Sequence, residues 1–118
     1  MPNLLRVAPE VPAAGVRRSA SHYEEKLGFK TVMMMPAEDY AIVERDGVAI
    51  HLFEAGNGVS PVSMHIFTED LEDLHGELRR RGAAITQDIS RKPWGNRDFR
   101  VKDDFGNELK FTEPSAGD

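Results

Sequence analysis

An internal repeat limits what this chain can fold into more than any other feature. Two segments with helical hydrophobic spacing begin 54 residues apart, near Val16 and Asp70, and each stops at a glycine, Gly28 and Gly82, again 54 residues apart. In the first, spanning about 16–27, Val16, Ala20, Tyr23 and Leu27 recur on one face, while Arg17, Arg18, Glu24, Glu25 and Lys26 face water. In the second, spanning about 70–81, Leu71, Leu74 and Leu78 form the stripe, and Thr68 or Asp70 stands where it can cap the start. A glycine just past the last helical residue takes the left-handed conformation that ends a helix. Strand-like sequence and then a hairpin follow each helix. A repeat of this length makes two structural units on one plan, not a solenoid.

A chain of 118 residues is one domain's worth of material and can bury a core without staples. The expected organisation is a single domain over 1–118, with a first module at 1–54, a linker at 55–61, a second module at 62–113 and a tail at 114–118. The linker is the Gly/Asn/Ser/Pro stretch around Gly56, Asn57, Gly58, Ser60 and Pro61.

Composition excludes several classes of function. The absence of cysteine rules out disulfides, thiolate zinc sites and cysteine nucleophiles together, and fits a reducing cytoplasm. A formal net charge of −5 argues against nucleic acid as a partner. No apolar run reaches the roughly 18 residues of a membrane span, and the first residues do not read as a signal peptide. No nucleophile elbow, phosphate loop or dinucleotide fingerprint follows a strand.

The hairpins can be read for facing. Asp46-Gly47 is a two-residue turn of the primed type, which pairs Arg45 with Val48, Val43 with Ile50, Ala41 with Leu52, Ile42 with His51 and Tyr40 with Phe53. Because side chains alternate, Ala41, Val43, Ile50 and Leu52 share one face, suited to packing under a helix. Tyr40, Ile42, His51 and Phe53 share the other, an aromatic wall with one polar handle that can line a ligand cavity or pack on another sheet. In the second half Phe99, Val101, Leu109 and Phe111 form the apolar face, and Asp98, Arg100, Lys102, Glu108 and Lys110 the opposite one. His65 lies opposite the Met64 stripe of its strand. Trp94, the only tryptophan, sits between Pro93 and Gly95 in a loop, placed either to stack on a planar ligand or to plug the end of a sheet.

Tyr23-Glu24-Glu25-Lys26-Leu27-Gly28-Phe29 resembles the F-Y-x-x-x-L-G-F signature of the vicinal oxygen chelate superfamily, which holds glyoxalases, dioxygenases and bleomycin-resistance proteins. Asp103-Asp104-Phe105-Gly106-Asn107 resembles its D-P-x-G-N turn, with Asp104 in place of proline. Lys92-Pro93-Trp94-Gly95-Asn96-Arg97-Asp98-Phe99 is similar to the P-W-G-x-R-E-F segment of bleomycin-resistance proteins, as is Asp39 to Asp46 to theirs. The resemblance covers nearly the whole chain. It implies an α+β fold of two βαβββ modules, with curved mixed sheets and the helices outside, and a homodimer that exchanges strands or modules. It also implies a cleft lined by Tyr40, His51, Phe53, His65 and Trp94. Arg100 and Lys110 would give the second wall positive charge.

Enzymes of the superfamily hold a divalent metal on four positions. The resemblance places these near Ala8 or Pro9, with Glu10 close by, and at His51, His65 and Lys110. An ammonium at the last position has no lone pair to give. Two imidazoles fall short of the three protein ligands that catalytic sites of this kind use. The expectation is therefore a metal-free, cofactor-free protein that binds and sequesters a bleomycin-type antibiotic without a chemical step. The rival expectation is a metal-dependent lyase or dioxygenase using His51 and His65, completed by Glu10 or Glu108.

Overall fold

The computed structural model describes residues 1–114; the tail expected from 114 onward lies, after its first residue, outside the described residues. The chain runs β1 (Glu10–Ala13), α1 (Val16–Leu27), β2 (Lys30–Met34), β3 (Tyr40–Arg45) and β4 (Val48–Glu54). The same order then repeats as β5 (Ser63–Phe67), α2 (Leu71–Arg80), β6 (Ala84–Arg91), β7 (Arg97–Lys102) and β8 (Glu108–Thr112). Each half makes its own four-stranded mixed sheet, β1-β4-β3-β2 and β5-β8-β7-β6, so the expected α+β plan of two βαβββ modules is what forms.

The β3–β4 register agrees pair for pair with the register expected from the Asp46-Gly47 turn. Both turn residues have positive φ, 53° and 81°, as a primed turn requires. The faces separate accordingly: Ala41, Val43, Ile50 and Leu52 are fully buried, whereas Tyr40, Ile42, His51 and Phe53 are half-buried. In the second sheet Phe99, Val101, Leu109 and Phe111 join the same core.

Helix α1 buries Val16, Ala20, Tyr23 and Leu27 and ends at Gly28, whose φ of 73° lets its N–H reach back to the Tyr23 carbonyl. Its start has no cap of its own. Instead the Glu54 carboxylate, at the end of β4, accepts from the N–H groups of Gly15 (2.9 Å) and Val16 (3.1 Å). A negative charge there satisfies free donors and complements the helix dipole. Helix α2 differs from expectation at its start. Asp70 occupies the cap position, but with a left-handed backbone (φ 50°) and no capping bond from its side chain. Glu72 and Asp73 in the first turn complement the dipole there.

The halves are joined by polar staples across the core. Asp103 Oδ1 accepts from the N–H groups of Phe105, Gly106 and Asn107, which makes the 103–107 turn. Its Oδ2 accepts from Tyr23 on α1 and from Asn107 Nδ2, each at 2.8 Å. Asn107 also donates to the Pro12 carbonyl of β1 at 2.9 Å. On another side Arg45, from β3, makes a two-pronged ion pair with Glu77 of α2 (2.9 and 2.7 Å) and also holds the Leu27 carbonyl at the end of α1.

Candidate functional site

The first wall lies on the half-buried face of the β3–β4 hairpin. The parallel pairing of β1 with β4 sets Glu10 opposite His51, so Glu10 stands beside this wall, not one or two residues from it. The Tyr40 hydroxyl lies 2.7 Å from Glu10 Oε2 and 2.8 Å from His51 Nδ1. A phenol has one proton, and an ionised carboxylate can only accept. Tyr40 therefore donates to Glu10 and accepts from Nδ1–H of His51, and in the neutral imidazole this leaves the Nε2 lone pair free. The bond to Glu10, then burial, raises the Tyr40 pKa above its ordinary value.

The second wall repeats this arrangement with other residues. His65 Nδ1 meets Thr112 Oγ1 at 2.9 Å, and Thr112 Oγ1 itself donates to the Lys110 carbonyl at 3.1 Å. By the same proton count His65 is the Nδ1–H tautomer with Nε2 free. Phe67 stacks on the His65 ring, centroids 6.2 Å apart, and is 54% exposed. Arg100 and Lys110 are register partners on β7 and β8. The sequence places them on one face with Asp98 and Glu108, giving that wall positive charge. Asp98 in fact lies 3.3 Å from Arg100, and Glu108 3.8 Å from Lys110, so each cation has a carboxylate beside it.

Trp94 stands at the 92–96 loop between β6 and β7 with 68% of its surface exposed. Its loop is held by backbone bonds between Lys92 and Asn96 (2.7 Å) and between Gly95 and Lys92 (2.9 Å). His22 of α1 and His75 of α2 are both half-buried. His75 bonds Asp88 and sits edge-on to Phe99.

The seven candidate residues fall into two groups, one on each sheet. Tyr40, His51 and Phe53 belong to the first sheet, and His65, Trp94, Arg100 and Lys110 to the second. A cleft of about 370 Å³ between β4 and β5 reaches only His65 of the seven, and a cleft of about 500 Å³ beside α2 reaches none.

The donors do not fit the family's divalent metal. Among the described residues no three His, Asp or Glu side chains are gathered to hold an ion. Glu10 is already engaged by Tyr40, and Lys110, facing His65 in the β5–β8 register, offers an ammonium. Glu10 needed the non-local β1–β4 register to be placed. Asp98 carried only its strand parity and its place in the 92–99 segment, and Thr112, also buried, carried no local signal.

This geometry meets its relatives in three comparisons. The model for the Glyoxalase/Bleomycin resistance protein/Dioxygenase superfamily matches residues 6–111, and the chain belongs to that superfamily. Among solved structures it is similar to a bleomycin-binding protein from the bleomycin producer Streptomyces verticillus, complexed with copper(II)-bleomycin. The TM-score is 0.83 and the identity 24%, covering 98% of this chain and 100% of that one. It is similar to TioX from Micromonospora sp. ML1 (TM-score 0.81, 20% identity, 92% and 98% covered). It is also similar to a lactoylglutathione lyase from Agrobacterium tumefaciens (TM-score 0.76, 14% identity, 96% of each). No curated protein matches the sequence significantly. At these identities the likeness is one of fold, and the fold is shared by a binder and a lyase alike.

Proposed function

We propose that this chain sequesters a planar, bleomycin-type small molecule in a cleft assembled between two copies, with no chemical step. The observation that carries the proposal is Trp94, a large ring left 68% exposed on a loop pinned by backbone hydrogen bonds. Covering that much of a tryptophan is worth about 3 kcal/mol at ~25 cal/mol per Å², before any stacking preference. The Tyr40, His51 and Phe53 wall, His65 with its free Nε2, and Arg100 and Lys110, each with a carboxylate beside it, would complete the cleft.

Three features favour assembly from two copies. β1 and β5 are edge strands, so each presents an open row of backbone donors and acceptors. Leu4, Leu5 and Val7 project almost fully exposed ahead of β1. The radius of gyration, 14.8 Å, exceeds the roughly 13.5 Å of a compact domain of this length. Light scattering on a size-exclusion column is expected to give twice the chain mass, and a monomer at micromolar concentration would sink the dimer.

A cytoplasmic location accompanies this reading. No helix among the described residues is long and apolar enough to cross a membrane, and the acidic charge disfavours nucleic acid. A metal-dependent lyase or dioxygenase is the second reading, favoured by one observation: both His51 and His65 leave Nε2 free to ligate. Elemental analysis of untagged protein, before and after addition of manganese, nickel or zinc, separates the two. Stoichiometric tight metal would reverse the preference.

A further inference from the structure

Asp98 is a carboxylate only 1% exposed, paired across the sheet with Ser90 on one side and Thr112 on the other. Burying such a charge costs several kcal/mol unless it is fully paired, and an apolar residue of similar size would commonly do as well for stability. Its partners explain how it is tolerated. Gln87 Nε2 donates to Asp98 Oδ1 at 2.8 Å, Lys92 Nζ stands 3.3 Å from the same oxygen, and Arg100 Nε lies 3.3 Å from Oδ2. Burial would push this carboxyl up, but the bonds from Gln87 and Lys92 and the nearby charges outweigh it and hold the pKa below the usual value.

Lys92 completes the arrangement. Its ammonium also donates to Gln87 Oε1 (2.7 Å) and Ser90 Oγ (3.2 Å), so three donors meet three acceptors. The side chain is 15% exposed, although Lys92 opens a surface loop and water was available to it. A β-bulge makes this possible. The β6–β7 register passes from Gln87↔Arg100 to Ser90↔Asp98, one residue more on β6 than on β7, so Gln87 and Ser90 both come beside Asp98. The residues that follow Lys92 are Pro93 and Trp94. The far end of the loop is tied separately, by Arg91 to the Gly95 carbonyl (2.6 Å) and by Asn96 Nδ2 to the Glu113 carbonyl (2.8 Å).

We propose that Lys92, Gln87 and Asp98 are positioning residues: a buried polar lock at the root of the 92–96 loop that fixes Trp94, with the same Asp98 carboxylate fixing Arg100. The inference rests on the binding role given to Trp94, but the lock itself is a property of the free protein. Trp94 acts on the ligand; Lys92 acts only through Trp94; Asp98 acts through both Trp94 and Arg100.

The single tryptophan makes the test direct. Relaxation of the Trp94 indole N–H is measured in the ligand-free wild type and in Lys92→Met, Lys92→Arg and Gln87→Leu, with Asp98→Asn added if it folds. The lock predicts an order parameter near the rigid value of about 0.85 in the wild type, falling below about 0.6 in Lys92→Met and Gln87→Leu, with partial recovery in Lys92→Arg. Binding of metal-free bleomycin gives the second arm. Lys92→Met should weaken it about tenfold, and the effect should vanish in a Trp94→Ala background, because a residue acting only through Trp94 has nothing left to position. Unchanged indole order in Lys92→Met and Gln87→Leu overturns the proposal. So does an effect of Lys92→Met that adds fully to Trp94→Ala. If bleomycin does not bind at all, the antibiotic reading fails, while the lock still stands or falls on the relaxation data.

Discussion

Tyr40 and His51 face each other diagonally across the β3–β4 hairpin, hydroxyl to Nδ1 at 2.8 Å with their rings edge-on at 82°. Because the same hydroxyl is committed to Glu10, the contact fixes the tautomer of His51 and turns its Nε2 lone pair free. Tyr40→Phe removes the acceptor from Nδ1–H. It should cost about 1 kcal/mol in urea unfolding, the typical net worth of such a bond. It should also shift His51 away from a single Nδ1–H form in long-range proton–nitrogen spectra recorded with the imidazole neutral. An unchanged tautomer would show that Tyr40 does not set it.

Tyr23 donates to buried Asp103 at 2.8 Å, and burial first, then the Asp103 charge, raises its pKa well above the ordinary phenol value. The unfolded chain ionises this phenol near pH 10 while the folded chain keeps the proton. Above that pH the native state binds more protons, so stability falls as pH rises, and the contribution is fully present only below about pH 10. Tyr40 is raised too and adds to the slope. Tyr23→Phe should flatten the alkaline limb of an unfolding free energy-against-pH curve and lower its neutral plateau by about 1.5–3 kcal/mol, the cost of losing a hydrogen bond to a charged group. An identical alkaline limb would contradict this account.

Much of the frame was legible from local chemistry. A two-residue turn with two positive φ angles dictates every pair of the β3–β4 ladder, and the stop glycines bound the helices. What stayed hidden depends on contacts distant in sequence. Glu10 sits beside His51 through a parallel pairing whose register no local residue encodes. Strand parity put Asp98 on the charged face, but only the bulge in β6 turns it into a buried, fully paired group. The cap of α1 likewise comes from Glu54, thirty-eight residues away from Val16. The candidate site was legible as two walls, and the hairpins say nothing of how those walls meet.

Glu77 is held at a pKa of about 2 by its bond to Arg45 foremost, with Arg81 adding to it against some desolvation. Its depressed value means that the stabilisation is present above the unfolded value near 4.5 and is lost as pH falls through about 2. Glu77→Gln should therefore bring the acid unfolding midpoint to higher pH and lower stability at neutral and alkaline pH by a constant amount, leaving the slope of the alkaline limb unchanged. Acid titration followed by circular dichroism decides it, and a midpoint that does not move would assign the acid limb to other carboxylates.

Trp94→Ala should separate binding from folding. With 68% of the residue exposed, Tm should move by no more than about 2 °C, since surface substitutions are usually within ±0.5 kcal/mol. Affinity for a planar ligand should fall roughly 10- to 100-fold, the loss expected for a buried aromatic anchor. A large drop in Tm with unchanged affinity would make Trp94 a plug at the end of a sheet.

Titration calorimetry of the wild-type chain with metal-free and copper-loaded bleomycin bears most directly on the central claim. Saturable binding well below millimolar by at least one form, weakened in Trp94→Ala, is the predicted result. The contradicting result is no binding of either form below millimolar, which would remove the antibiotic from this cleft.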